Sequence, residues 1–336
     1  YGIFLIGKFY NLKFISLSLL FFLFNFNGYF ITNYAAYGPH QLGYFFMPYF
    51  FYGLIRISNA NTLFDNYNWS IFVGIILSLI LLQGSFHLYI ETLTLILFWT
   101  IFNIRNIKSS LIIGVVTIST SLFRLFPAYL SYGTEANPRG LEGYGGGYAN
   151  IDLFISGLVS QKTQFDFPEE YWHELSMYIS FPGSLIIIFF GIFCYFFDKN
   201  IFNYKIWKGF VIPISIIFLI SFHKIKFLIL PNFIPLFNAE SITSRYMIIP
   251  LIFIIIVSSV NLDLFLKNNT KKLISYTTGI FVFVIVIFLF NFSRLWRHNL
   301  SLSELKWADS LNINGRVFLN DNYQLNINND LSDTFY

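Results

Sequence analysis

The segment LLQGSFHLYIETL, Leu81 to Leu93, places a glutamine, a histidine and a glutamate inside an apolar run that extends from Ser70 to Phe102. A membrane-spanning helix needs about 20 apolar residues, so this run is too long for one ordinary crossing. Gln83-Gly84-Ser85 stands in its middle, and irregular backbone at membrane depth is tolerated where it lines a cavity. We therefore expect one crossing with a break or a long protrusion.

The composition is that of an integral membrane protein. Of the 336 residues, 56% are hydrophobic and only 11% are charged, whereas soluble domains carry roughly 25% charged residues. The single Cys194 excludes a disulfide framework and a cysteine metal site within this sequence. The net charge of +4 comes mainly from Lys and Arg at the ends of apolar runs, a pattern that orients helices and does not indicate nucleic acid.

Seven apolar runs predict an all-α fold, a polytopic transmembrane helix bundle of about seven spans. The runs are Phe14–Ala36, Ser70–Phe102, Leu111–Tyr132, Tyr178–Phe197, Trp207–Phe222, Ser244–Leu266 and Leu273–Phe292. We expect residues 1–293 to form the transmembrane domain and residues 294–336 to form an extracytoplasmic tail. The tail is polar, with one predicted strand at Arg316–Leu319, and is expected to begin a small soluble domain. Because the chain starts at Tyr1 without a methionine, we expect a fragment of a longer protein.

Basic residues near the ends of the runs orient the bundle. If each run crosses once, one side collects Lys8, Lys13, Arg105, Lys108, Lys199, Lys205, Lys208, Lys267, Lys271 and Lys272. Since Lys and Arg accumulate in cytoplasmic loops, this side and the N-terminus are expected to be cytoplasmic. The loops 37–69, 133–177 and 223–243 and the C-terminal tail are then extracytoplasmic.

Two of the expected outer loops contain features that suit a ligand at the membrane surface. Leu42–Ile57 is apolar and aromatic but too short to span, so we expect an interfacial helix broken near Pro48. The loop 133–177 follows the third run with YGTEANPRGLEGYGGGYANIDLF, Tyr132 to Phe154. Its glycines allow the backbone to approach a ligand closely, and they equally allow plain disorder.

His87 and Glu91 are four residues apart, so on a helix they share one face and can form a hydrogen bond or an ion pair. Ionisable side chains within membrane segments mark functional sites by default. The alternative interpretation is that the two groups only neutralise one another or lie near the outer interface.

Three further side chains on the expected outer side are candidates for binding. Arg124 suits bidentate binding of a phosphate or pyrophosphate in a shielded cavity, or it extends its guanidinium to the interface. Arg245 begins the sixth run, where it binds a ligand or anchors the helix end. His40 lies in an outer turn before the interfacial segment. The sequence contains no Walker loop, dinucleotide fingerprint, zinc spacing or serine-elbow motif. No cofactor is therefore evident, and no pattern supports a divalent cation.

Several phrases carry a likeness to one group of proteins. They are NGYFITNYAAYGPHQLGYFFMPYFF (27–51), LLQGSFHLYIETLTLILFW (81–99), FRLFPAYLSYG (123–133) with YGGGY (144–148), and SITSRYMIIPLI (241–252). In this order they resemble segments of large bacterial and archaeal membrane proteins regarded as glycosyltransferase-like, of the GT-C architecture. The resemblance covers about Phe14 to Leu266 through loose, family-level patterns. It implies transfer of a sugar from a polyprenyl-phosphate donor, on the extracytoplasmic face, to a lipid, glycan or protein acceptor.

The resemblance assigns the candidate residues to two sides of a cavity. Arg124 and Arg245 are expected toward the donor phosphate, and His40, His87 and Glu91 along the cavity wall. Glu91 or an acid of the glycine-rich loop is expected to contribute to acceptor binding. Families of this architecture generally keep a catalytic acidic residue in the first outer loop. Nothing here matches it, so the catalytic residue is unknown and the general base is expected outside this chain.

Two other classes of function stay open from the sequence. In a transporter or lipid-glycan flippase, His87 and Glu91 would be a proton-coupling pair and Arg124 a counter-charge for the substrate. A membrane assembly subunit would have no catalysis. For the first choice, the expected location is a bacterial or archaeal cytoplasmic membrane, and the expected partners are membrane lipid, the polyprenyl-phosphate sugar donor and an acceptor.

Overall fold

The computed structural model describes residues 1–60, 62–132, 147–161, 172–194, 209–222, 225, 229, 242–268 and 272–311. Within these ranges the side chains at 36–37, 39–40, 128–132, 172–173, 272–273 and 295–311 are not described. The described residues are mostly helical and contain no strand, and one isolated β-bridge joins Tyr148 and Phe222. The predicted strand at Arg316–Leu319 lies outside the described residues.

The described residues are organised mainly into α-helices. In chain order they are α1 (Gly2–Tyr10), α2 (Phe14–Asn25), α3 (Gly28–Tyr37), α4 (Met47–Ser58), α5 (Leu63–Gln83), α6 (Phe86–Phe102), α7 (Ile107–Tyr132), α8 (Ile151–Val159), α9 (Trp172–Leu175), α10 (Phe181–Ile188), α11 (Val211–Ile220), α12 (Ile248–Asn268) and α13 (Lys272–Leu311). The 3₁₀ segments Gly38–Phe46, Ile104–Asn106 and Thr243–Met247 precede α4, α7 and α12, and the π-helical segment Phe189–Phe193 continues α10.

Five helical stretches of the described chain are long and apolar enough to cross a membrane. They are Phe14–Ala35, Leu63–Gln83, Ile104–Pro127, Thr243–Asn268 and Ile274–Arg294. Three shorter helical stretches, Phe86–Phe102, Phe181–Phe193 and Val211–Ile220, are also apolar. These helices indicate an integral membrane protein, while the predicted seven-span arrangement is not confirmed.

Helices α5 and α7 pack closely and run in the same direction. Successive contacts join residues of α5 to residues 42 or 43 positions later: Asn66 with Ser109, Gly74 with Thr117, Ser78 with Thr120 and Leu82 with Arg124. The approach is tight at Gly74, because an added Cβ there would lie 2.8 Å from the Cβ of Val116. Small residues and hydroxyl groups are the usual means by which membrane helices approach one another.

The parallel packing of α5 and α7 means that α6 returns the chain in the opposite direction. Gly84 ends α5 in the left-handed conformation, with φ of 110°. The amides of Gly84 and Ser85 donate to the carbonyls of Leu81 and Ile80, which is a glycine-based helix stop. The expectation of one crossing across Ser70–Phe102 is therefore wrong. The predicted break exists, but it joins two antiparallel helices.

The segment from Gly38 to Ser58 packs along α5 in the antiparallel direction. The amide of Gly43 donates to Oε1 of Gln83 at 2.9 Å, and farther along the pair Tyr52 and Trp69 stack edge to face. Most residues of α4 are buried. The interfacial helix predicted for Leu42–Ile57 is therefore wrong, because this segment lies within the bundle and brings the chain back along α5.

One end of the bundle collects basic residues from distant parts of the chain. The amide of Lys13 donates to Oδ1 of Asp263 at 2.7 Å, and Nζ of Lys267 donates to the carbonyl of Asn11 at 2.8 Å. The guanidinium of Arg56 lies 4.5 Å above the ring of Trp69, near the start of α5. Because α5 and α7 are parallel, the residues just before α7, which include Arg105, lie at this end too. We call it the basic end.

Helix α12 starts at the opposite end and runs to the basic end through the centre of the bundle, where most of its residues are buried. Helix α13 lies alongside α2 and continues past Arg294 to Leu311. The predicted boundary at residue 294 is thus not marked by the end of a helix, and the tail beyond Leu311 lies outside the described residues. The starts of α12 and of α6 and the segment around α9 meet at the end opposite the basic end, which we call the distal end.

Candidate functional site

The distal end contains a buried ion pair that joins two segments far apart in sequence. Arg245 donates from Nε to Oε2 of Glu174 at 2.8 Å and from Nη2 to Oε1 of the same carboxylate. The exposed fractions of the two side chains are 6% and 3%. A planar guanidinium that holds a carboxylate through two parallel hydrogen bonds is the strongest form of such a pair.

Arg245 is positioned by the 3₁₀ segment that leads into α12. All five residues from Thr243 to Met247 are buried. Oγ1 of Thr243 donates to the carbonyl of Ser221 at 3.1 Å, at the end of α11. The tight turn therefore sets the arginine at the point where α12 begins, and Pro250 follows in the first turn of that helix.

Glu174 is positioned by α9 and by the extended residues after it. The amide of Met177 donates to the carbonyl of Gly157 at 3.0 Å, and the amide of Gly28 donates to the carbonyl of Tyr178 at 2.7 Å. A Cβ at Gly157 would lie 2.5 Å from the carbonyl oxygen of Leu175, so only glycine allows this approach. The carboxylate is thus held on backbone that α8 and α3 fix from two sides.

Tyr148 packs beside the ion pair. Its hydroxyl donates to the carbonyl of Leu175 at 2.8 Å. Burial raises the pKa of the Tyr148 hydroxyl, and the negative charge of Glu174 raises this pKa further. Tyr148 therefore remains neutral at physiological pH and serves as a hydrogen-bond donor.

Two serine hydroxyls flank the ion pair in sequence. Ser176 follows Glu174 by two residues and Ser244 precedes Arg245 directly. Both hydroxyl oxygens are buried, and neither makes a hydrogen bond to another part of the described chain. Buried polar atoms are nearly always hydrogen-bonded in native proteins, so each of these two hydroxyls calls for a further polar partner.

Glu91 is fully buried within α6, and α6 packs against the 3₁₀ segment that carries Arg245. His87, one turn earlier in α6, is partly buried. The two residues thus lie in one helix, as the spacing predicted, and their direct contact remains a prediction. The buried residues of α6 around Glu91 include the hydroxyl-bearing Thr92 and Thr94.

Arg124 does not join this group in the way the sequence predicted. Its side chain is exposed, and Nη1 donates to the carbonyl of Leu82 in the last turn of α5. The expectation that Arg124 lies buried in a shielded cavity is therefore wrong, because its guanidinium reaches along the surface of the helix pair. A donor-phosphate role for Arg124 remains a prediction. The side chain of His40 lies outside the described residues, and its backbone belongs to the 3₁₀ segment Gly38–Phe46.

The structure brings Arg245 together with a residue that sequence reasoning passed over. In the sequence, Glu174 is one of several acidic residues of the expected outer loop 133–177. Its distinguishing signal is local, because it stands inside the apolar stretch YWHELSMYIS (171–180), immediately before α10. An acid in such a stretch is expensive to bury without a partner. Its partner, 71 residues later, cannot be read from that signal.

The site has no arrangement that would hold a metal ion in the described part of the chain, where no group of three or more His, Cys, Asp or Glu side chains comes together. Comparison with known proteins gives no match, since no protein-family model, no curated protein and no solved structure matches this chain. The chemistry of the site is therefore the basis for a functional assignment.

Proposed function

We propose that this protein is an integral membrane glycosyltransferase of the GT-C type, which transfers a sugar from a polyprenyl-phosphate donor to a lipid, glycan or protein acceptor at the extracytoplasmic face. The single observation that carries the proposal is the buried Arg245–Glu174 pair at the distal end. Buried charges in a membrane protein mark functional sites by default. The basic end is the cytoplasmic side in this proposal, because Lys and Arg accumulate there, and the distal end then faces outward.

The chemistry requires a cation at the leaving group and a carboxylate at the acceptor. The acceptor oxygen attacks the anomeric carbon of the sugar, and its proton passes to a carboxylate. The bond between that carbon and the phosphate oxygen breaks, and the electron pair leaves with the polyprenyl phosphate. We assign Arg245 to the departing phosphate, whose charge a guanidinium stabilises. The resemblance places the general base outside this chain, and we propose instead that Glu91 takes the proton of the acceptor hydroxyl.

His40, His87 and Arg124 have supporting roles in this proposal. His87 lies one turn from Glu91 on α6 and is placed on the acceptor side, with His40 nearby on the cavity wall. Arg124 lies on α7, before the glycine-rich sequence, and would meet the donor outside the buried pair. Membrane lipid and the lipid tail of the donor are the partners of the apolar helices.

The test is sugar transfer by the full chain in lipid nanodiscs, supplied with a polyprenyl-phosphate donor that carries a labelled sugar. Glu91→Gln keeps the size of the side chain and removes the proton acceptor, so we expect transfer to fall about 100-fold or more, as for a lost general base. Asp263→Asn is the matched control, because it changes a buried carboxylate at the basic end, and transfer should continue.

Two results would contradict the proposal. One is an unchanged rate in the Glu91→Gln protein. The other is movement of the intact labelled donor between leaflets with no release of polyprenyl phosphate, which would identify a flippase.

A further inference from the structure

We infer that the Arg245–Glu174 pair is exchangeable: the phosphate of a polyprenyl monophosphate displaces the Glu174 carboxylate from Arg245. The inference takes its class of ligand from the proposed function, but it concerns binding alone and needs no sugar transfer. It assigns Glu174 a role as the internal competitor of the ligand.

The geometry of the pair suits a phosphate as well as a carboxylate. Arg245 presents Nε and Nη2 to the two oxygens of Glu174, and the same fork fits two oxygens of a phosphate monoester. The carboxylate therefore occupies the position that a phosphate would take. A ligand that supplies more negative charge than one carboxylate has an electrostatic advantage at this position.

The burial of the pair is costly for the stability of the protein. Burying an ion pair costs so much desolvation that well-packed apolar residues are often as stabilising or more so. A pair that is 6% and 3% exposed is thus poorly explained by stability alone. The pair is explained if Arg245 binds an anionic ligand. The carboxylate of Glu174 then neutralises the guanidinium when the ligand is absent.

Two buried serine hydroxyls lie close to the pair in the sequence. Ser244 and Ser176 flank the two members of the pair, and their buried oxygens make no hydrogen bond within the described chain. The two oxygens of Glu174 are the acceptors that Arg245 meets, whereas a phosphate brings further oxygens. We infer that these oxygens accept hydrogen bonds from the two hydroxyls.

The experiment measures binding of a polyprenyl monophosphate to the full chain in nanodiscs, with the uncharged polyprenol of the same length as the reference ligand. We expect Glu174→Gln to bind the phosphate about tenfold more tightly than the natural protein, because the competitor is removed while Arg245 keeps its charge. Arg245→Lys should bind it about tenfold more weakly, since lysine lacks the two-pronged donor. Asp263→Asn removes another buried carboxylate at the basic end, and its affinity should stay unchanged.

A purely structural pair predicts the opposite pattern. Glu174→Gln would then lose thermal stability that phosphate does not restore, and its affinity would be unchanged or lower. An equal gain in affinity for the uncharged polyprenol would overturn the inference as well. If the Glu174→Gln protein does not fold, Glu174→Asp keeps the charge but shortens the reach, and its phosphate affinity must rise above that of the natural protein.

The outcome is separable from the test of the proposed function. Suppose that the Glu174→Gln protein binds the phosphate more tightly but the natural protein transfers no sugar. This result would support the exchange and contradict the glycosyltransferase. Sugar transfer without a change in phosphate affinity would support the enzyme and contradict the exchange.

Discussion

Arg124 and Arg245 carry the same guanidinium group but meet different partners. Arg245 is buried against a carboxylate, whereas Arg124 is exposed and donates to the carbonyl of Leu82. The last carbonyls of a helix have no donor within the helix, and a cation near a helix C-terminus also interacts favourably with the helix dipole. The contact of Arg124 therefore supports the end of α5 and ties it to α7.

This contact predicts a stability effect for Arg124. We expect Arg124→Ala to lower the free energy of unfolding by about 1 kcal/mol, as for one exposed hydrogen bond from a charged group, and to slow sugar transfer only in part, because Arg124 meets the donor outside the buried pair. Arg124→Lys should lie between the two proteins in stability. Thermal unfolding in detergent and the transfer assay measure both effects. A normally stable Arg124→Lys protein that has lost transfer would instead place Arg124 at the donor phosphate.

The pairing of α5 and α7 leaves little room for a side chain at Gly74. A Cβ at Gly74 would lie 2.8 Å from the Cβ of Val116 and 3.0 Å from the carbonyl oxygen of Ile113, whereas a Cβ at Gly114 would have no neighbour within 4 Å. We expect Gly74→Ala to destabilise the protein by about 1–3 kcal/mol, the usual range for overpacking. Gly114→Ala is the matched control, and thermal unfolding should show no loss because alanine favours the helix.

Equal loss in the two alanine variants would show that the α5–α7 contact is not tight in the membrane. The effect should also grow with size, so Gly74→Leu must be worse than Gly74→Ala. The comparison isolates packing, because both glycines lie within helices of the same pair.

The sequence predicts the existence of these helices better than their directions. Hydropathy locates the break at Gln83-Gly84-Ser85, because a glycine in an apolar run signals a stop, but it carries no information on where the next helix goes. It also misjudges the segment before α4. The nine residues Gly38–Phe46 are 3₁₀, and at about 2.0 Å per residue they extend farther than the same number in an α-helix. A run that is too short to span by the α-helical measure therefore follows much of α5.

The candidate site shows the same limit. The positions of Glu91 and Arg245 at buried points follow from their surroundings in the sequence, whereas the pairing of Arg245 with Glu174 depends on tertiary contacts between α9 and the start of α12. The sequence around either residue gives no information about a contact between segments 71 residues apart.

At the scale of the whole molecule, the predicted single crossing of Ser70–Phe102 and the observed antiparallel pair α5 and α6 place the same basic residues at one end of the bundle. The chain runs from the basic end to the distal end through α2 and α3 and returns through Gly38–Ser58. It then runs to the distal end again in α5 and returns to the basic end in α6. Compared with the predicted order, this adds one passage in each direction, so the residues before α7 still lie beside those before α2. The predicted side of the lysines was therefore independent of the number of crossings.

The predicted and observed arrangements differ in the side of the membrane on which the turn between α4 and α5 lies. In a Cys194→Ser background, Ser58→Cys should react with an impermeant thiol reagent only after the membrane is opened, because Ser58 is exposed at the end shared with Arg56. Asp152→Cys, exposed in α8 at the distal end, should react in intact cells. Ile104→Cys, 74% exposed, is the internal control, since both arrangements place it on the cytoplasmic side.

Labelling of Ser58→Cys from outside, with Ile104→Cys protected, would return residues 37–69 to an outer loop and remove the antiparallel packing of this segment on α5. Labelling of Ile104→Cys from outside, with Asp152→Cys protected, would invert the bundle and move the Arg245–Glu174 pair to the cytoplasmic face, where an extracytoplasmic donor could not reach it.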